Sequence, residues 1–73
     1  MVDINKLKAK MVIAGYNQRT LAKACREKGY KISDNTMNAK FNNRSPWTCD
    51  DADIIIDVLD IQDPAEKCEI FLP

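Results

Sequence analysis

Seventy-three residues with 11 Lys and Arg against 11 Asp and Glu, no His, three Cys, two Gly and three Pro make one domain at most. A chain this short buries only about 60% of the surface its unfolded state exposes, which disfavours a deep substrate cavity and with it most enzyme architectures. No apolar run approaches the roughly 20 residues that span a bilayer, and no basic segment followed by an apolar stretch opens the chain, so a soluble protein of the cytoplasm is expected.

Cys25, Cys49 and Cys68 lie 24 and 19 residues apart and, with no His and no close Cys pair, lack the spacing of metal ligands. They read as small apolar packing residues. The missing His also removes the commonest general base and leaves a cysteine nucleophile without its usual partner. No catalysis, cofactor, metal or small-molecule substrate is expected.

Taken in chain order, the sequence predicts five short helices and no alternating strand pattern, hence an all-α bundle. Ile4, Leu7, Met11 and Ala14 share one face of a first helix, with Asp3 as its cap and Gly15 as its end. Asn17 opens a second helix that runs through Leu21, Ala22 and Cys25 to Gly29, with Ala22 against a neighbour at close range. Tyr30-Lys31-Ile32 forms a connector, and Ser33 caps a third helix from Asp34 to about Asn42 whose buried stripe is Met37 and Phe41. Asn43-Arg44-Ser45-Pro46 is turn chemistry, followed by Trp47 as a core anchor. Thr48 caps a fourth helix with Asp50 and Asp51 at the positive end of its dipole and Ile54, Ile55, Val58 and Leu59 on its core face. After a break over Asp60–Gln62, Asp63-Pro64-Ala65-Glu66 combines a cap, a Pro in the first turn and a Glu placed to return the cap, ahead of Ile70, Phe71 and Leu72.

The zero net charge hides an asymmetry. Residues 1–47 hold ten Lys and Arg against three Asp and Glu, whereas residues 48–73 hold Lys67 alone against eight acids. A basic front and an acidic back predict a molecular dipole that draws a polyanion to one face and repels it from the other. Ordinary solvated surface charge is the plainer alternative.

Gln18-Arg19-Thr20-Leu21-Ala22, followed by Ile32-Ser33-Asp34-Asn35-Thr36-Met37, resembles the helix-turn-helix of the lambda-type repressor and Cro proteins: Q-x-x-L-A, a connector, then an aliphatic residue and S-x-x-T with an aliphatic residue. The segment Ile32 to Arg44 is more narrowly similar to small phage-encoded Cro-like regulators, in which a capping Ser leads to Thr-aliphatic and then Lys-aliphatic-Asn-Asn with a basic residue. Pro46-Trp47 matches the Pro-aromatic pair that follows that helix in those proteins. One departure stands out, because Ala22 to Ile32 spans ten positions where the family usually takes five. The extra residues can lengthen both the second helix and the connector.

The resemblance implies that the third helix enters the major groove with its N-terminal half nearest the bases. Residue types agree with that role. At about 100° per residue, Asn35, Asn38, Ala39 and Asn42 centre on the side opposite Met37 and Phe41. An Asn amide can pair bidentately with adenine N6 and N7, and Ala39 can lie against a thymine methyl. Solvation of a surface helix is the plainer role for the same residues. Asp34, which would repel phosphate, is assigned to capping. Gln18 contacts phosphate by resemblance, joined by Arg19 at the same helix end, and Lys31, Lys40, Asn43 and Arg44 flank the third helix as further donors. The Lys40 stem can instead cover core surface while its ammonium reaches outward. Lys6, Lys8 and Lys10 are read as solvated, and Tyr16 and Tyr30 as supports of the motif helices.

The implied function is a sequence-specific, double-stranded DNA-binding regulator of a phage or prophage, acting at the nucleoid by occupying an operator and excluding polymerase or a competing repressor. A two-fold homodimer on a palindromic site is the default partner arrangement, with monomeric binding open. Ile70-Phe71-Leu72 can join two protomers or pack back on its own core. The alternative function is a protein-interaction module or antirepressor that grips another regulator through the acidic C-terminal half.

Overall fold

The first backbone amides of a helix have no partner within it, and a side chain meets them at each of five helices in the computed structural model of the chain, which describes residues 2–73. Asp3 caps Ile4–Ala14 (α1), Asn17 caps Gln18–Glu27 (α2), Ser33 caps Asp34–Phe41 (α3), Thr48 caps Cys49–Leu59 (α4) and Asp63 caps Pro64–Phe71 (α5). These are the capping residues expected from the sequence. At α2 and α4 the caps are reciprocal, with Thr20 returning the bond to Asn17 N–H and Asp51 returning it to Thr48 N–H. Glu66 does not do this at α5. Its carboxylate instead takes the Lys10 ammonium at 3.1 Å, because α1 runs alongside.

Four helices end in one way. A residue of left-handed backbone, Gly15 (φ 83°), Gly29 (φ 92°), Asn43 (φ 58°) or Asp60 (φ 54°), turns the chain, and the next amide reaches back five residues to a helix carbonyl. Those bonds are Tyr16 to Met11, Tyr30 to Cys25, Arg44 to Ala39 and Ile61 to Ile56, all between 2.8 and 3.0 Å. Only at the two glycines is a positive φ free of a Cβ penalty.

The helices pack as α2 on α3 and α4, and α1 on α4 and α5, around Leu7, Met11, Leu21, Ala22, Cys25, Ile32, Met37, Phe41, Ile55, Leu59, Ile61, Ile70 and Phe71. The described residues are all-helical, without a strand, and no helix among them is long and apolar enough to cross a membrane. Three expectations change. Ala14 is exposed, since the chain turns away at Gly15 before its side chain meets a neighbour. Cys49 and Cys68 are exposed and Cys25 alone is core. The stripe of α4 is Asp51, Ile55 and Leu59, with Ile54 and Val58 half-buried on its margins. At the C-terminus, Ile70 and Phe71 pack back on their own core and only Leu72 projects.

Two measurements follow from this geometry. In the folded protein a thiol reagent should label Cys49 and Cys68 and spare Cys25, whose thiol burial pushes up in pKa, with the nearby Asp51 charge adding to the shift. A Cβ added at Gly29 meets nothing within 4 Å, so Gly29→Ala should cost only its backbone strain, about 1–2 kcal/mol by thermal or denaturant melting. Asp60→Gly should be neutral or stabilising by up to about 1 kcal/mol.

Candidate nucleic-acid interface

The amide-rich face is carried by α3, a helix of 8 residues, too short to hold its own orientation. Met37 and Phe41 bury its inner stripe, and Trp47 stands edge to face on Phe41 with ring centroids 5.2 Å apart. Trp47 is half-buried and serves as the expected anchor; its buried Nε1–H has no partner among the described residues.

Beside that apolar contact lies a buried ionic one. Lys40, 6% exposed, lays its ammonium 2.6 Å from the carboxylate of Asp51, itself 2% exposed, and 2.8 Å from the Pro46 carbonyl. Asp51 also accepts the Tyr30 hydroxyl and, at 2.8 Å, the Thr48 N–H. Burial by itself would raise the Asp51 carboxyl, but the bonds from Lys40, Tyr30 and Thr48 N–H outweigh it and hold the group below its ordinary range. Tyr30 moves the other way: donating to a carboxylate, and burial after that, push its phenol up. Lys40 is therefore removed from the expected ring of phosphate donors, its charge being spent inside the fold.

The connector between α2 and α3 is pinned at both ends. Arg26, on the last turn of α2, donates to the Ile32 carbonyl at 2.9 Å and to Asp34 at 3.0 Å, while Tyr30 reaches Asp51 and Ile32 enters the core. Asp34 is thus the partner of Arg26 as well as the acidic residue in the first turn of α3, whose cap is Ser33 as expected. Neither Arg26 nor Asp51 was singled out from sequence as a positioning residue. Tyr30 supports the helices as expected.

Asn35, Asn38 and Asn42 are all exposed, and Ala39 is half-exposed between them. They are not equivalent. Asn42 sits just past the helix end and its amide folds back, donating to the Asn38 carbonyl at 2.9 Å and to Asn38 Oδ1 at 3.1 Å. Bidentate pairing by either amide would require that bond to turn away, whereas the Asn35 amide makes no hydrogen bond among the described residues. Around this row, Lys31, Asn43 and Arg44 are exposed, Gln18 is half-exposed on the first turn of α2, and Arg19 is 85% exposed with Asp34 no nearer than 3.9 Å.

The charge split is less clean in space than along the chain. Three cations of the basic segment pair with carboxylates of the acidic one: Lys10 with Glu66, Lys28 with Asp57 and Lys40 with Asp51. The Lys28 ammonium is held above its ordinary pKa, first by its hydrogen bond to Asp57. What remains unpaired near α3 among the described residues is Lys31 and Arg44, with Arg19 only loosely held. Comparison with protein-family models, with curated proteins and with solved structures gives no match to this chain.

Asp51→Ala leaves a buried ammonium without its counter-charge and should lower stability by about 3–5 kcal/mol. The double change Lys40→Met with Asp51→Leu should recover only the part due to the unpaired charge, since the Tyr30 hydroxyl, the Thr48 N–H and the Pro46 carbonyl still lose their partners. Because the folded carboxyl titrates below its unfolded value, its stabilisation is complete above the unfolded pKa and is lost as pH falls through the folded one. Asp51→Asn should therefore flatten the acid limb of stability below about pH 4, read by urea melts across pH.

Proposed function

We propose that the chain is a sequence-specific, double-stranded DNA-binding regulator of the Cro-like kind, in which α2, the connector and α3 act as a helix-turn-helix and α3 enters the major groove. The observation that carries this reading is the outward row of Asn35, Asn38, Ala39 and Asn42 on a short helix whose inward side chains are all committed to the core. Exposed amides on one face are suited to base edges, and Asn35, nearest the helix start and free of the internal bond that joins Asn42 to Asn38, is the leading candidate for a bidentate contact with adenine. Arg19, Lys31 and Arg44 border the row as phosphate donors, with Gln18 and Asn43 as neutral ones. Occupancy of an operator would exclude polymerase or a competing repressor, in a phage or prophage setting at the bacterial nucleoid. No catalytic step is involved.

A second reading has its own support. Between α4 and α5 lies an apolar groove of about 390 Å³ lined by Val2 and, from the acidic half of the chain, by Ala52, Ile56, Phe71 and Leu72. Such a groove suits an apolar side chain of another regulator, as in a protein-interaction module or antirepressor.

Polarisation titrations with duplex DNA at two salt concentrations separate the two. Three cations on one protomer predict a log-log salt slope of magnitude about 2.7. Arg44→Ala should weaken all duplexes alike, and Asn35→Ala should relax sequence choice by about 1–3 kcal/mol at one base position. An absence of binding at low salt favours the second reading.

A further inference from the structure

Two of the three large apolar side chains that stand exposed among the described residues, Val12 (74%) and Ile13 (81%), share the last turn of α1. Ile13 borders a groove of about 250 Å³ between α1 and α5, with Ala9 and Ile70 as the rest of its apolar lining. The two helices run antiparallel there: Asp3 N–H donates to the Ile70 carbonyl at 2.7 Å near one end, and Lys10 meets Glu66 at 3.1 Å toward the other. One wall is therefore basic, with Lys6 and Lys10 from α1. The opposite wall is acidic, with Glu66 and Glu69 from α5. Lys10 and Glu66 neutralise each other across the groove, but Lys6 and Glu69, both exposed, make no ion pair with each other or with any other described residue.

We propose that this face is the docking surface for a second copy of the chain. A patch with a basic wall on one side and an acidic wall on the other is complementary to itself under one symmetry operation. A half-turn about an axis along the groove sets each basic wall against the partner's acidic wall, and covers both exposed Ile13 side chains. The alternative half-turn, about an axis across the groove, would set like charges together. Lys6 and Glu69, lying near the same level of the antiparallel pair, become the cross-copy ion pairs, formed twice. The face belongs to α1 and α5, whereas α3 packs on α2, so docking here leaves the amide row uncovered. It also replaces the Ile70-Phe71-Leu72 end as the dimer surface, because Ile70 and Phe71 are spent on the protomer's own core. The inference stands on α1 and α5 alone and needs no DNA.

Sedimentation velocity without DNA tests it. The unmodified chain should associate to a dimer with a Kd between about 1 µM and 1 mM, as expected for a small interface. With Lys10 and Glu66 neutralising each other, Lys6→Glu leaves an acidic unpaired charge on both walls and Glu69→Lys a basic one on both, so each variant alone should associate at least about tenfold more weakly. An equimolar mixture of the two should regain association, and so should the double variant Lys6→Glu with Glu69→Lys. Ile13→Asp should be monomeric with an unchanged helical circular dichroism spectrum. A monomeric parent chain at about 1 mM, single variants that dimerise as the parent does, or a mixture that stays monomeric would each overturn the proposal. Loss of DNA binding with dimerisation intact would overturn the functional reading alone.

Discussion

The Asp51 carboxylate gathers three donors from three parts of the chain: the Lys40 ammonium from α3, the Tyr30 hydroxyl from the connector and the Thr48 amide at the start of α4. Desolvating an ammonium and a carboxylate costs several kcal/mol each, so such a pair contributes little net stability even when well made. What it contributes is position. A carboxylate with three donors at fixed directions has few alternatives, and α3, with two large apolar anchors, would otherwise be free to roll on the core.

That constraint bears directly on the amide row. Met37 and Phe41 keep α3 against the core, but apolar contacts are non-directional and tolerate rotation about the helix axis. The Lys40–Asp51 pair sets that rotation, and the Lys40–Pro46 bond ties it to the turn that carries Arg44. Arg26 performs the corresponding task at the other end of α3, holding Ile32 and Asp34 on either side of the Ser33 cap. Base reading of any kind demands such fixity, since a shift of an ångström breaks a bidentate contact.

The contrast between basic and acidic segments also acquires a structural meaning. Part of it is consumed in folding, where Lys10, Lys28 and Lys40 each join an early helix to a late one. The remainder lies exposed in two places: Arg19, Lys31 and Arg44 around α3, and Lys6 opposite Glu69 on the far pair of helices. Opposite charges along the sequence thus serve as internal ties between helices, and those left over stand at the surface.

Local chemistry was legible in the sequence. Asp3, Asn17, Ser33, Thr48 and Asp63 cap the helices they were expected to cap, because a cap depends on neighbours within three residues. The outward placement of Asn35, Asn38 and Asn42 followed from helical periodicity in the same way. Glu66 and Lys40 escaped that reasoning, since their partners lie 56 and 11 residues away in the chain. A signal for the buried pair did exist: Lys40 stands three residues after Met37, Asp51 four before Ile55, and each intrudes on an apolar stripe with opposite sign. Nothing in the sequence joins those two intrusions, and nothing in it reveals that Asn42 folds onto Asn38 or that Lys6 is left without Glu69. Caps and stripes are settled by the residues a turn away. Which charges meet, and which are left exposed, was decided only when the helices packed, because a long side chain pairs with whatever the tertiary structure brings within its reach.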